Sequence, residues 1–262
     1  MKRPSLQTVP PGLELTRRRL LATGISAATI SVMRLPFPAW LSAADPMPTA
    51  DQLVAGKDRR LLVHNASKAG FEIETPLDLL HDESVTSADK LFVRNNQQPS
   101  WAATLEPAKP GPWSLDISGL LEFPKTITLE QLKELPQVEH EVVLQCSGNG
   151  RALFSKAAPA KGAPWQHGAM GNVRFKGVPL QAVFEKFDVR PHADVRFITA
   201  EGADAPPKPD AADFEHSLPL EDTLSRAILA LEMNGKALPA VHGGPLRLVT
   251  PGYYGKIGRA HV

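Results

Sequence analysis

Residues 146–151, Cys-Ser-Gly-Asn-Gly-Arg, put a thiol, two glycines and a guanidinium within a single turn of chain. A thiolate is a soft ligand that suits a soft or high-valent metal. Gly148 and Gly150 permit the backbone angles and close approach that a ligand lying against the turn requires. Arg151 is a permanently charged donor fork for an oxyanion. Cys146 is the only cysteine in 262 residues, so an internal disulfide is ruled out. Three roles remain open for it: a buried small hydrophobe, an intermolecular bridge, or a metal-binding or catalytic thiolate. A surface turn after a strand with a buried cysteine explains the motif as well. A second polar group, Arg94, Asn95 and Asn96, sits on a loop just after the apolar Leu91-Phe92-Val93.

The elements that must carry these groups follow from periodicity. Val138, His140, Val142, Leu144 and Cys146 fall on one face of a strand by the two-residue repeat. Cys146 is then the last inward residue before Ser-Gly-Asn-Gly turns the chain. Residues 113–120 read as a strand ending in a turn. Thr126 or Thr128 opens a short amphipathic helix that Pro136 stops. Residues 177–187 form a helix opened by Pro179, 195–202 a strand and 217–225 a short helix. Residues 228–239 form a hairpin turning at Asn234-Gly235, and 245–252 a last strand. Toward the N-terminus, 59–65 is the one apolar run long enough for a short strand, and Thr86 or Ser87 signals a helix start. Strands and short helices alternate irregularly, with no repeat and no βαβ period, so the fold class is α+β.

Composition limits the function. An apolar content of 42% with 22% charged residues describes a globular chain with a core to bury. Lys+Arg 29 against Asp+Glu 28, a net charge of +1, excludes a nucleic-acid surface built on bulk charge. Any anion must be recognised by locally placed arginines. The 25 prolines point to long irregular connections, where large ligands are usually gripped.

Residues 1–44 read as an export signal. Arg17, Arg18 and Arg19 precede an apolar run from Leu20 to Met33, shorter than the ~20 residues of a spanning helix, and small residues Ser42 and Ala44 suit cleavage. The arginine group followed by Leu-Leu resembles a twin-arginine signal, which exports folded proteins and implies the periplasm. A thiol already ligated before export is protected from oxidation. Residues 45–85 then form a wrapping arm and 86–255 the main domain. Lys256–Val262 breaks the preceding apolar alternation and is expected to be a non-native tail, with the natural sequence differing after Gly255.

The segments FVRNN, LQCSGNGR, WQHGAMGNVRFKGVPL and LEMNGKALPAVHGGPLRLVTPGYYG occur in this order. Together they resemble the molybdopterin-binding domain of the sulfite oxidase family, in its exported bacterial branch, from about Leu91 to Gly255. The resemblance implies mixed sheets with short helices and long loops, and a molybdenum-molybdopterin cofactor with Cys146 as the metal ligand. It makes Arg94 and Arg151 the arginines that flank the metal's oxo ligands and bind the anionic substrate. Asn95 and Asn96 then line the pterin, Asp204 contacts it, and His242 and Arg247 hold its phosphate end. Asn96 stands where the family commonly has histidine, and an amide hydrogen-bonds but carries no charge. Phe175 replaces a common tryptophan, losing an indole donor while keeping the packing role.

The activity implied is oxidation of sulfite to sulfate, with electrons passed to a periplasmic c-type cytochrome. No Cys-x-x-Cys-His is present, so no haem is expected on this chain. The family's tyrosine and β-sandwich dimerisation domain would follow Gly255, which makes a homodimer the expected native state. A methionine-sulfoxide reductase of the same superfamily is the alternative enzyme, and an inactive, cofactor-free binding fragment is the alternative outside catalysis. His64, His81, His167, His192 and His216 lack metal-ligand spacing and are read as surface or hydrogen-bonded core residues, with His167 the one closest to the motif segments. Tyr253 and Tyr254 are read as packing residues.

Overall fold

The computed structural model describes residues 47–67, 70–81, 83–95, 103–109, 111–154, 158–202 and 215–255, with backbone strands at 257–258 and 260–261. Residues 1–44, Asn96 and Asp204 lie outside the described residues.

Helix α1 (Ala50–Leu53) precedes an antiparallel hairpin of β1 (Leu62–Ser67) and β2 (Gly70–Glu74). Helix α2 (Leu77–Leu80) follows Pro76, and β3 (Val93–Arg94) pairs with β2, setting Arg94 opposite Glu72. Ile73, Val93, Val54, Leu61 and Val241 bury together behind this sheet. The segment therefore holds two strands where the apolar run alone predicts one, because β2 draws its stability from tertiary packing rather than from an apolar run of its own. The helix start predicted at Thr86 or Ser87 is absent. Thr86 N donates to Asn172 O at 2.7 Å and Thr86 Oγ1 accepts from Asn172 N at 3.1 Å. A hydroxyl committed to a neighbouring strand cannot cap a helix of its own, and a single turn at Ser87–Leu91 is what forms.

Strands β4 (Ser114–Ile117) and β5 (Lys125–Thr128) form a hairpin that runs into α3 (Leu129–Lys133). Thr128 caps α3 reciprocally with Gln131: Gln131 N donates to Thr128 Oγ1 and Thr128 N donates to Gln131 Oε1. Strand β6 (Val138–Gln145) pairs antiparallel with β7 (Met170–Pro179) from Val138↔Gly177 to Gln145↔Met170. Pro179 and Pro219 each end a strand and open a helix, α4 (Leu180–Lys186) after β7 and α5 (Leu220–Arg226) after β9 (Glu215–Pro219). Ser217–Pro219, predicted as helix, is thus strand, paired with β8 (Phe197–Gly202). Strand β10 (Ile228–Met233) returns through a tight turn, Asn234 at φ 52° and Gly235 at φ 74°, to β11 (Lys236–Ala237). The chain then enters β12 (Arg247–Val249), β13 (Ile257–Gly258) and β14 (Ala260–His261), the last paired with β8.

The main sheet runs β13-β12-β10-β7-β6. One face packs Val178, Leu229, Leu231 and Leu248 against α4 and the β4–β5 hairpin. The other packs Val173, Phe175, Ile228, Ala230 and Val249 with Leu91, Phe92, Leu144 and Trp165. Residues 228 and 230 share the second face, yet Met233 rejoins it at an odd position. The register shift between Ala230 and Glu232 explains this, because one extra residue inverts the alternation. Gly177 makes the shift possible: a methyl there would overlap Leu229 O and stand 2.6 Å from Ala230 Cα. Gly177→Ala is expected to destabilise the protein by about 2 kcal/mol or more, measured as a lower urea midpoint, whereas Gly235→Ala leaves the packing intact and strains only the turn.

Candidate functional site

Cys146 sits immediately beyond β6, and the sheet holds it in place. Its backbone N–H donates to Ala169 O at 2.9 Å, continuing the β6–β7 ladder one step further. Directly opposed residues share a face, so Val142 with Val173 and His140 with Phe175 define the side on which Cys146 packs. The thiol is free and half-buried, and Gly148 N lies 3.5 Å from its Sγ, an N–H able to stabilise negative charge on sulfur.

The turn after Cys146 is bound to the loop at 162–169. Asn149 Nδ2 donates to His167 O at 3.2 Å, and Asn149 Oδ1 accepts from Ala169 N at 3.1 Å. Ala152 N donates to Trp165 O, and Arg151 Nη1 to Ala163 O at 3.1 Å. The Arg151 guanidinium occupies the space over Gly148 and Gly162, where a Cβ at position 162 would lie 2.6 Å from Nη1. Cys146 and Arg151 are therefore brought together by two crosslinked loops. His167 contributes its carbonyl here while its side chain faces solvent.

Sequence reasoning missed three residues of this region. Trp165 is fully buried, edge-on to His64 and Phe92 at centroid distances of 5.4 and 6.3 Å, and its indole Nε1 has no hydrogen-bond partner among the described residues. A buried donor without an acceptor is costly in a closed protein. Glu74 is equally buried. Its carboxylate accepts from Gln166 N at 3.0 Å and Gly168 N at 2.7 Å and meets His64 Nε2 at 2.6 Å. It fastens the N-terminal hairpin to the loop that carries Trp165. Gly168 belongs to the same junction, since a side chain there would overlap Thr75 O. Neither Trp165 nor Glu74 has a local signal, because each is defined by segments far away in sequence.

Arg94 ends β3, with Nε 3.7 Å from Glu72 Oε1, and is half-buried. Asn95 N donates to Phe71 O, and its side chain reaches Val241 O at 3.4 Å. This joins the Arg94 loop to the His-Gly-Gly-Pro segment. His242 closes a 3-10 turn at Ala240–His242, capped by Gly243 at φ 100°. Its ring is buried, with Nε2 3.1 Å from Lys57 Nζ. Lys57 is the third residue missed, a buried amine that also donates to Ala88 O and Leu91 O. Arg247 Nη1 donates to His242 O at 2.8 Å, and its guanidinium lies 5.9 Å from the Phe175 ring centre. The structure thus couples His242 to Arg247 directly.

The two groups approach each other at Gly255. Gly255 N donates to Gln145 O at 2.9 Å, and a methyl on Gly255 would come within 2.5 Å of Leu144 Cδ1 and 3.6 Å of Arg247 Nη2. A cleft of ≈ 590 Å³ runs along Glu141–Gln145 and Arg247–Gly255. Tyr253 packs beside it with Oη donating to Asp222 Oδ2 at 2.6 Å.

Electrostatics separate the three basic groups. Burial pushes Arg247 down to about 10, so it stays charged at neutral pH. Burial, with smaller contributions from Lys57 and Arg247, drives His242 well below its usual value, so its ring is neutral. Burial also lowers Lys57 to about 7, against an opposing pull from Asp89.

Residues 102–258 match the family described as "Oxidoreductase molybdopterin binding domain". The chain is similar to the mitochondrial sulfite oxidase of Drosophila melanogaster, 32% identical over 200 residues covering 75% of this chain and 33% of that protein. It is similar to the mitochondrial sulfite oxidase of Rattus norvegicus, 31% identical over 225 residues covering 83% of this chain and 38% of that protein. The chain thus spans well under half the length of these curated relatives. The sulfane dehydrogenase SoxCD of Paracoccus pantotrophus shares the fold, with a TM-score of 0.59 over 94% of this chain and 57% of that one at 23% identity.

Two outcomes test the site's supports. Glu74→Ala is expected to cost about 3 kcal/mol or more, by stranding His64 and two backbone N–H groups, and Glu74→Gln less, both read by urea unfolding. Lys57 binds its proton less tightly folded than unfolded, so the unfolded state carries more protons between pH about 7 and 10.5. Stability of the wild type should therefore rise with pH across that window, and Lys57→Met should remove the rise.

Proposed function

Because the chain belongs to the oxidoreductase molybdopterin-binding domain family, we propose that it binds molybdenum-molybdopterin at Cys146 and oxidises sulfite to sulfate. In the same proposal the protein is exported by the twin-arginine route, and a periplasmic c-type cytochrome accepts the electrons.

The observation that carries the reading is the donor-rich junction between the Cys146 turn and the 162–169 loop. The residues present fit the cofactor. A free thiol with an N–H directed at its sulfur suits a metal ligand, the orphaned Trp165 Nε1 lacks an acceptor that a bound group would supply, and the linked His242–Arg247 pair suits a phosphate. When bound, the cofactor supplies the oxo-transfer and two-electron redox chemistry, which side chains alone cannot.

The chain's own residues bind and orient. Cys146 is held by its backbone bond to Ala169, which fixes the strand end from which the sulfur projects. Arg151 commits Nη1 to Ala163 O, which orients the fork, and the remaining N–H donors meet the oxyanion. Arg94, at the end of β3 with Nε 3.7 Å from Glu72 Oε1, is the second arginine of this reading. Preorganised donors of this kind stabilise charge without rearranging during the reaction. A neutral sulfoxide would gain little from two arginines.

The sulfite oxidases among the relatives support the substrate class. The test is turnover of sulfite with ferricyanide, against methionine sulfoxide with a reduced viologen. We expect the first alone to proceed. Cys146→Ser should abolish it while changing unfolding free energy by less than about 1 kcal/mol. Arg151→Gln should raise KM for sulfite about tenfold or more. Wild-type turnover by Cys146→Ser would show that the ligand is elsewhere.

A further inference from the structure

We propose that Lys57 is a positioning residue for His242: its ammonium holds the ring in the Nδ1–H tautomer, leaving Nδ1–H as the ring's donor for an anion. The anion-binding role rests on the reading of His242 as a phosphate-holding residue, whereas the tautomer follows from the geometry around Lys57 in its protonated form.

Lys57 Nζ lies 2.6 Å from Ala88 O, 2.5 Å from Leu91 O and 3.1 Å from His242 Nε2. An ammonium has three donors and no acceptor, and here it meets three partners. Two of them are carbonyl oxygens, which only accept. The third N–H therefore goes to Nε2, which must present its lone pair, and the ring proton sits on Nδ1. The opposite tautomer would face Nε2–H against the ammonium. The acceptor left to that Nε2–H is Ala88 O, at the long distance of 3.4 Å.

The surroundings keep the choice binary. Lys57 and His242 are 3% and 4% exposed, so solvent cannot easily replace either partner. Burial opposes charge on both groups; Asp89 favours the ammonium, Lys57 and Arg247 oppose a second proton on the ring, and Ala88 O favours it. Gly56, at φ 90°, turns the chain into Lys57, so a residue 185 positions before His242 sets its protonation. A partner that orients a binding histidine through its other nitrogen acts as outer-shell partners do at metal sites, where losing one typically costs ten- to a hundredfold in affinity, about 10–100-fold.

The test uses the full chain with ¹⁵N-labelled histidine rings at about pH 6, below the Lys57 value so that the ammonium persists. His242 is assigned by the signals lost in His242→Gln. The wild type should show ring correlations of the Nδ1–H form. In Lys57→Met, Ala88 O is released and His242 should convert to the Nε2–H form. Molybdenum and pterin content of protein made in a cofactor-producing host should fall about tenfold in Lys57→Met. An Nε2–H ring in the wild type overturns the proposal, and this measurement decides even if Lys57→Met does not fold. A folded Lys57→Met that retains cofactor like the wild type overturns the positioning role. Wild-type protein that takes up no cofactor overturns the functional reading and the anion-binding role with it, while the tautomer result stands separately.

Discussion

The site depends on the register of β6 against β7. Eight consecutive pairs, from Val138↔Gly177 to Gln145↔Met170, place His140, Val142, Leu144 and then Cys146 on the face that packs with Phe175 and Trp165. A slip by one residue would turn Cys146 out of that face and bring Val143, now exposed, inward. Packing is what forbids the slip. Val173 and Phe175 are fully buried, and Gly171 is already pressed against Leu91 and Thr86.

Around this register, buried polar groups tie distant segments to the loop beside the Cys146 turn and to the His242 segment. Glu74 gathers two backbone N–H groups of the 162–169 loop and His64, while Lys57 gathers two carbonyls and His242. Both come from the N-terminal segment, whose sequence offers little beyond one apolar run. Each hub joins a strand or 3-10 turn residue, His64 or His242, to backbone groups of irregular segments, and such networks specify geometry when complete. These hydrogen bonds add to the β6–β7 ladder in fixing the Cys146 and His242 segments.

Much of the architecture was legible locally. The Thr128 cap, the helix opened by Pro179, the Asn234-Gly235 hairpin and the alternation ending at Cys146 each have a short-range cause. The misreadings share a different cause. Thr86 has the chemistry of a helix cap but spends its hydroxyl on Asn172, and Ser217 precedes a helical pattern but lies in a strand held by Thr199. Phe175, read as a packing residue, is one, with Arg247 resting over its ring.

The sequence by itself determined the α+β class, the family, the thiol at the strand end and the arginine within its turn, because these depend on residue type and on spacings of a few positions. Tertiary structure alone decided that Arg151 is clasped between Gly148 and Gly162, that Trp165 keeps an unpartnered indole, and that His242 answers to Lys57. Those facts join residues up to 185 positions apart. A hydrogen bond between them is created by folding, and local sequence carries no trace of a partner that only the closed chain brings within reach.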